Sequence, residues 1–200
     1  MFWQIHCLSC RRTAERALCR DCWQQVELFS EPRTAEAWPL FAAAPYQGVM
    51  RQWLAQTKYH GRAPLARALG FYLGEWFRQF QMPIQALVPI PLHAARQRER
   101  GYNQAAELAR GAAEALDCRV IQGLERIQAT PALHSLSAQE RSDVLARAFC
   151  LRTRPRWQAG HGKIILVDDI CTSGATLRAA QRCFAPELSG AFLTMTYTEA

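Results

Sequence analysis

Carboxylates, hydroxyls and a glycine follow an apolar run in the stretch KIILVDDICTSGATLRAA, residues 163–180. The apolar residues predict a buried strand, so Asp168 and Asp169 come where that strand ends and the chain enters solvent. Successive strand residues point to opposite faces, so both carboxylates can contact one ligand if the chain turns at the second. A hydroxyl-rich loop follows, and a helix is expected from about residue 175. The loop comprises Thr172, Ser173, Gly174, Ala175 and Thr176.

The chemistry of this stretch suits a sugar phosphate. Backbone N–H groups at the start of a helix bind phosphate, and Gly174 permits a close approach of the backbone. The neighbouring carboxylates can accept hydrogen bonds from vicinal sugar hydroxyls. No basic residue lies inside the loop, so it is not the nucleotide-binding pattern Gly-x4-Gly-Lys-Ser/Thr. The stretch therefore predicts a pocket for a ribose 5′-phosphate.

Four of the eight cysteines lie within residues 7–22, as Cys-x2-Cys, eight residues, Cys-x2-Cys. Two such pairs can enclose one tetrahedral zinc ion with four thiolates and leave no open coordination position, so the predicted role is structural. Free thiols or a redox pair are the alternatives, and His6 is a weaker candidate for a substitute ligand. Nearby arginines would help to offset the charge of the thiolates. The four candidate ligands are Cys7, Cys10, Cys19 and Cys22. The other cysteines are expected to be small buried hydrophobes.

The elements that must position these residues alternate between helices and strands. Helical spacing and capping residues predict helices at 47–61, 64–80, 103–116, 137–149 and 176–185. Short apolar runs predict strands at 85–92, 118–121, 124–127, 163–168 and 191–198. This alternation predicts an α/β fold, a mostly parallel twisted sheet flanked by helices on both faces. Ligands bind such sheets beyond the carboxyl ends of the strands, here the loops after residues 88–91 and after residue 167.

Length, apolar content and charge limit the number of domains, the cell compartment and the kinds of partner that are expected. Half of the 200 residues are apolar, enough for one domain with a sizeable core and a small appendage. We divide the chain into a four-cysteine unit at 1–28, a linker with the first strand at 29–45 and the main domain at 46–200. No apolar run approaches the roughly 18 residues needed to span a bilayer, and no secretory signal is evident, so a cytoplasmic protein is expected. The net charge of +7 favours anionic partners, although a solvated arginine-rich surface explains it equally well.

The segment ILVDDICTSGAT resembles the signature of the type I phosphoribosyltransferases: an apolar run, two acids, then Thr-Thr/Ser-Gly-x-Thr. The resemblance implies that fold and phosphoribosyl pyrophosphate as the ligand. Asp168 and Asp169 would contact the ribose hydroxyls, and the loop at 172–176 would hold the 5′-phosphate. The implied reaction displaces pyrophosphate at the anomeric carbon, with magnesium bridging pyrophosphate and ribose hydroxyls. Magnesium there needs few protein ligands.

Further segments resemble the competence protein F family, also called the ComF or GntX-like family, so the resemblance covers essentially the whole chain. They are VPIPLHAARQRERGYNQA at 88–105, KYHGR at 58–62 and the N-terminal cysteines, which match a zinc-ribbon region. The loop after Ile90 would receive the pyrophosphate, whose charge arginines and Lys58 would neutralise. Arg98 is expected on a solvated helix face. The binding candidates here are Ile90, Pro91, Arg96, Gly101 and Asn103. The catalytic candidates of the chain are Asp168, Asp169, Arg100 and Lys58.

Residues 129–149, ATPALHSLSAQERSDVLARAF, resemble the mobile loop and following helix of that family. Arg141 would reach a phosphate. Leu133 stands where the family usually has glutamine and Asp143 where it has asparagine, so a role for this loop in positioning the nucleophile stays open. His134 is a weaker candidate for a general base, because the sequence shows no partner for it.

Two functions from different classes remain open. The first is a phosphoribosyltransferase, or another enzyme of phosphoribosyl ligands, acting on an unknown acceptor. The second is a non-catalytic accessory protein of DNA uptake that binds single-stranded DNA or a partner helicase, as the family name implies. Aromatic side chains could stack on bases, although aromatics near apolar helices are more often core. The stacking candidates are Trp3, Trp23, Trp38, Tyr46, Trp53 and Tyr59.

Overall fold

The computed structural model describes residues 4–34, 38–59, 61–128, 148–152 and 160–198. The helices are α1 (Arg20–Trp23), α2 (Gly48–Gln56), α3 (Ala63–Phe77), α4 (Ala94–Arg100), α5 (Gln104–Leu116) and α6 (Ala175–Gln181). A 3-10 turn, Arg78–Phe80, follows α3. The strands are β1 (Leu40–Pro45), β2 (Ile84–Pro89), β3 (Leu124–Arg126), β4 (Phe149–Leu151), β5 (Lys163–Cys171) and β6 (Gly190–Tyr197).

Four strands form one sheet in the order β1-β6-β5-β2, and every neighbouring pair is parallel. β3 and β4 form a separate antiparallel pair. β5 has a partner strand on each side, and the side chains of residues 164–167 are at most 1% exposed. Such burial is typical of an interior strand of a parallel sheet. The predicted α/β class is confirmed.

Alternate strand residues belong to two different cores. Leu87, Ile165 and Val167 pack with α3 and α5 on one face of the sheet. Ile164 and Leu166 pack with α6 and the β3–β4 pair on the other face. Both faces of the sheet are therefore covered, as the apolar character of the strands predicted.

α3 and α5 approach closely because glycines at their contact let the two backbones touch. A Cβ added at Gly70 would lie 2.1 Å from the Leu108 carbonyl oxygen, and one added at Gly111 would lie 2.0 Å from the Arg67 carbonyl oxygen. A side chain at either position would push the helices apart. This contact sets the position of α5, whose first turn lies at the candidate site described below.

The cysteine segment packs on α3. The Tyr72 hydroxyl donates to the Leu18 carbonyl oxygen at 3.1 Å, and the Tyr72 ring stacks on Trp23 with centroids 5.2 Å apart. Two of the clustered cysteines, Cys7 and Cys22, belong to the same buried core as α3. The division of the chain at residues 28 and 45 stays a prediction.

Two arginines of the cysteine segment bind acids of the helices. Arg16 pairs with Glu114 of α5, and Arg20 pairs with Glu75 of α3, each at 3.1 Å. A role of these arginines in offsetting thiolate charge stays a prediction. Arg12 remains beside the cluster.

Several predicted elements differ from the observed ones. β5 continues to Cys171 rather than ending at 168, and residues 94–100, expected as a loop, form α4. Residues 118–121 form no strand; Val120 makes an isolated bridge to Leu87. The helix predicted at 137–149 lies outside the described residues except for its end, where Phe149 begins β4. In the described part of the chain, no helix combines the length and apolarity that crossing a membrane requires.

Candidate functional site

The two acids lie within β5 and not beyond its end, which corrects the predicted strand boundary. Asp168 is opposite Thr194 of β6 in the strand register. The Asp169 N–H donates to Asp168 Oδ1 at 2.9 Å. Ile170 packs in the core of Val167, against the expected alternation, so the strand changes its facing at the acids.

The carboxyl groups of Asp168 and Asp169 interact with each other. Burial, followed by the negative charge of Asp169 and a hydrogen bond between the two side chains, raises the pKa of Asp168 well above its usual range. The Arg126 guanidinium opposes this rise. The two carboxyl groups are brought together by a local change in the strand, without a turn at its end. Paired carboxylates of this kind favour a site for hydroxyl groups or a cation.

The hydroxyl-rich loop connects β5 to α6. Gly174 has a φ of +70° and is the residue before the first turn of α6, as the sequence predicted for a helix from about residue 175. The Arg178 guanidinium folds back over the loop, and its Nη2 donates to the Ser173 carbonyl oxygen at 2.6 Å. The sequence reasoning missed this basic residue, which lies one helical turn after Gly174. A small cavity of about 70 Å³ borders the loop and Arg178.

The loop after β2 lies beside the acids. The Ile90 N–H donates to the carbonyl oxygen of Val167, the residue before Asp168, at 2.9 Å. The Asn103 side chain donates to the Ile90 carbonyl oxygen at 2.9 Å, and its Oδ1 accepts from the Ala105 N–H at 3.1 Å. Asn103 therefore caps α5, as predicted, and also joins this helix to the loop. The structure brings Ile90, Pro91 and Asn103 to the same edge of the sheet as Asp168.

The predicted pyrophosphate segment is largely helical. The His93 side chain accepts from the Ala95 N–H at 3.3 Å at the start of α4, and Gly101, with a φ of +78°, ends the helix. Arg96 and Arg100 are four residues apart and share one side of α4. Arg98 lies on another side of α4, where it is exposed, as expected for a solvated helix face, and it borders a large cavity.

Lys58 follows α2 and is held near the start of α5 by its neighbour Thr57. The Thr57 carbonyl oxygen accepts a hydrogen bond from the Gln104 amide at 3.1 Å and another from the Tyr102 hydroxyl. Burial raises the pKa of Tyr102 to about 12, which keeps this hydroxyl a donor. The GYNQ segment therefore meets the residue just before the KYHGR segment at one main-chain oxygen.

The large cavity has a volume of about 800 Å³ and lies between α4, the first turns of α5 and β3. Asn103 and Gly101 line it together with Arg98 and Arg126. Because Pro89 and Pro91 also line it, and Ile90 between them bonds to Val167 before Asp168, this cavity and the acids are neighbours. Sequence reasoning did not anticipate Arg126, since β3 carries no recognisable motif.

The four clustered cysteines place their sulfurs within 4.8 Å of one another. Cys7 Sγ and Cys22 Sγ are 3.8 Å apart, and Cys10 Sγ and Cys19 Sγ are 3.7 Å apart. A tetrahedral zinc ion with Zn–S bonds of about 2.3 Å separates its sulfurs by about 3.8 Å, so this donor set fits the ion. In the described residues, these four form the group able to hold a metal, and His6 is not a member.

The environments of these thiols differ. A hydrogen bond from the Arg12 side chain, and a second from its backbone, lower the pKa of Cys10 to about 6. Burial raises the pKa of Cys22 to about 12. Without a cation, the cluster therefore does not ionise all four thiols at neutral pH. A bound metal would supply the charge that four thiolates require.

Most of the candidate stacking aromatics belong to the core. Trp23, Trp38 and Trp53 are at most 7% exposed, which excludes them as platforms for nucleic-acid bases. Tyr59, by contrast, is 70% exposed and follows Lys58 in the chain. Trp3 lies outside the described residues, as do Arg141, His134 and the remainder of the predicted loop at 129–147.

The structure is that of an α/β protein that has acids and a hydroxyl-rich loop at the carboxyl edge of a parallel sheet and a separate four-cysteine cluster. No protein-family model matches the chain. Competence protein F of Haemophilus influenzae is 26% identical over 204 residues, 88% of this chain and 89% of the relative. The chain is similar in sequence to the competence protein F (ComF) family over most of its length.

Two other relatives have similar coverage. Competence protein ComFC of Bacillus subtilis is 28% identical over 88% of this chain and 76% of the relative. DNA utilization protein YhgH of Escherichia coli O6:H1 is 28% identical over 88% of this chain and 81% of the relative. The predicted family is confirmed.

Proposed function

We propose that this protein binds phosphoribosyl pyrophosphate, or a related ribose 5′-phosphate, at the carboxyl edge of its sheet and acts as a phosphoribosyltransferase in DNA uptake. The observation that carries the proposal is the pairing of the Asp168 and Asp169 carboxyl groups between the hydroxyl-rich loop and the loop at Ile90. This order along the edge matches the order of 5′-phosphate, sugar hydroxyls and pyrophosphate in the ligand. The competence names of the relatives support a role in DNA uptake.

Each group of the ligand has a partner in this assignment. Asp168 and Asp169 accept hydrogen bonds from the ribose hydroxyls, while the loop at 172–176 and Arg178 hold the 5′-phosphate. The pyrophosphate lies against the Ile90 and Pro91 backbone and the cations of Arg96, Arg100 and Lys58. Catalysis then consists of holding the anomeric carbon in place and stabilising the negative charge of the departing pyrophosphate.

A magnesium ion fits the same acids. Oxygen donors of two adjacent carboxyl groups suit Mg²⁺, and a cation would relieve the repulsion that raises the pKa of Asp168. When bound with the substrate, the ion would neutralise charge on the pyrophosphate and orient it. Asp168 and Asp169 would hold it, directly or through water.

We also propose that the four clustered cysteines hold a structural zinc ion. The sulfur separations and the closed donor set support this assignment. The cluster lies against α3 and α5, apart from the acids, so its contribution is to the position of the two helices.

Calorimetry with phosphoribosyl pyrophosphate and Mg²⁺ tests the sugar-phosphate assignment. We expect micromolar binding that the double change Asp168→Asn and Asp169→Asn weakens at least tenfold. The matched control is Asp117→Asn, at an exposed residue outside the site. Unchanged affinity in the double variant would show that the pocket is assigned wrongly.

The exposed Tyr59 beside Lys58 favours a second candidate function, non-catalytic binding of single-stranded DNA. The test is the affinity for a thymidine oligonucleotide at several salt concentrations. Binding should weaken as salt rises, because phosphate contacts release counterions, and Tyr59→Ala should weaken it further. If the affinity for the oligonucleotide changes neither with the salt concentration nor in Tyr59→Ala, this candidate function is wrong.

A further inference from the structure

The 800 Å³ cavity beside the acids has a charged wall that the sugar-phosphate assignment does not use. Its volume is that of a typical small-molecule site. The charged residues of the wall are Arg98, Arg110, Arg126, Arg152, Glu107 and Glu125. Arg110 forms an ion pair with Glu107 within the wall. Four cations against two carboxylates give the wall a net positive charge, so it favours an anion.

The arginines of this cavity come from four places in the chain: α4, α5, β3 and the residue after β4. On α4, Ala94, Gln97, Arg98 and Gly101 are spaced by three or four residues and form the face that lines the cavity. Their shared face explains why Arg98, and not Arg96 or Arg100, reaches the wall. Arg96 and Arg100 lie on the other face of α4 and are assigned to the pyrophosphate, a different group of the ligand.

Arg126 and Arg152 reach the cavity from the β3–β4 pair. The Arg126 guanidinium lies over the Phe149 ring, 5.5 Å from its centroid, and the Arg152 N–H donates to the Gly123 carbonyl oxygen at 2.9 Å. Burial lowers the pKa of Arg126, whereas Asp168 raises it. Arg126 lines the same cavity as Pro89 and Pro91, which flank Ile90 beside the acids, so an anion bound there would lie near the bound sugar.

We propose that this cavity binds the acceptor of the ribosyl group and that the acceptor is a small organic molecule carrying a carboxylate or a phosphate group. Its acidic group binds Arg126 and Arg152, as planar guanidinium groups bind such anions with two parallel hydrogen bonds. Its body lies against apolar wall residues such as Leu124 and Pro91. This inference rests on the proposed function, because it identifies the second substrate of that site.

The transfer balances with this acceptor. A nitrogen or oxygen atom of the acceptor forms a bond to the anomeric carbon, and the bond from that carbon to the pyrophosphate oxygen breaks. The electron pair of the broken bond leaves with pyrophosphate, and the proton of the attacking atom passes to solvent. No oxidant or reductant is required.

Calorimetry with matched probes tests the inference on the full chain. Nicotinate is compared with nicotinamide, and phenyl phosphate with phenol, each with and without saturating ribose 5-phosphate. We expect each acid to bind at least tenfold more tightly than its neutral partner, with ribose 5-phosphate present. Arg126→Gln and Arg152→Gln should each weaken the acids about tenfold, whereas Arg51→Gln, at an exposed arginine outside the cavity, should not.

The outcomes separate the two proposals. Equal binding of acids and neutral partners, or no effect of Arg152→Gln at an exposed position, overturns the acceptor assignment even if ribose 5-phosphate binds. Binding of the acids without any binding of ribose 5-phosphate instead refutes the proposed function. Displacement of the acids by a thymidine oligonucleotide, with the same arginine dependence, also overturns the assignment and identifies the cavity as a nucleic-acid phosphate site.

Discussion

The side-chain amide of Asn103 donates a hydrogen bond to the carbonyl oxygen of Ile90 at 2.9 Å. The same side chain caps α5 through its oxygen. One residue therefore holds both the start of a helix and the loop that lies against the strand of the acids.

Replacing Asn103 separates these two roles. Asn103→Ala should destabilise the protein by about 2 kcal/mol, roughly half from the lost cap and half from the lost hydrogen bond to Ile90. Asn103→Asp keeps an oxygen for the cap but cannot donate, so it should lose about half as much. Urea denaturation measures both values. Ribose 5-phosphate affinity should fall in both variants, and a wild-type affinity in Asn103→Asp would contradict the role of the loop.

Asp168 should make the ligand-free fold less stable at neutral pH. Its pKa is raised by burial and by Asp169 above the value of 3.8 for a free side chain, so the folded chain binds this proton more tightly than the unfolded chain. Stability attributable to this group therefore falls as the pH rises from about 4 to the raised folded pKa. We expect Asp168→Asn to stabilise the protein by on the order of 1 kcal/mol at pH 7.5.

Thermal melts at pH 7.5 and pH 4 check this expectation. The gain of Asp168→Asn should shrink toward pH 4, where the wild-type carboxyl is protonated in the folded state and partly protonated in the unfolded state. Asp117→Asn serves as the exposed control. A variant that is less stable than the wild type at pH 7.5 would show that Asp168 is not destabilising.

Removing one sulfur should empty the four-cysteine cluster. Cys19→Ser should lose bound zinc and several degrees of melting temperature, because three thiolates no longer close the site. Zinc content by mass spectrometry is the measurement, and Cys118→Ser, outside the cluster, is the control. Equimolar zinc retained by Cys19→Ser protein would refute a four-cysteine site.

The contact of α3 with α5 should not tolerate a methyl group. Gly111→Ala places a Cβ 2.0 Å from the Arg67 carbonyl oxygen, so we expect a loss of about 3 kcal/mol in urea denaturation. Gly48→Ala meets nothing within 4 Å and is opposed by its φ of +53° alone, so it should lose about 1 kcal/mol. Equal losses would mean that backbone strain, and not close packing, governs both positions.

The sequence predicted the parts of the fold that depend on apolar periodicity. The apolar runs predicted β5 and the coverage of both sheet faces. Helical spacing and the cap at Asn103 predicted α5. α4 escaped prediction because AARQRER has no apolar stripe, although its residues favour helices and Gly101 could end one. Once α4 is a helix, its helical repeat places Arg98 on a different side from Arg96 and Arg100.

The candidate site was predictable where one contiguous motif encodes it. The acids and the hydroxyl-rich loop are adjacent in sequence, so their proximity needed no tertiary information. Arg126 comes from β3, and its approach to Asp168 depends on how the β3–β4 pair packs on the sheet, which local pattern cannot reveal. Arg178 was within reach of sequence reasoning, since a residue four positions after Gly174 returns to the start of the helix.

The carbonyl oxygen of Thr57 accepts hydrogen bonds from Tyr102 and Gln104, residues 45 and 47 positions further along the chain. Contacts over such separations form late, since the intervening chain must first be ordered. Lys58 therefore reaches its place only after α2 and α5 have both docked on the sheet. A partly folded chain can contain the motif of acids and hydroxyls and still lack Lys58 at the site. Ligand binding that needs Lys58 would therefore measure the fraction of fully folded chains.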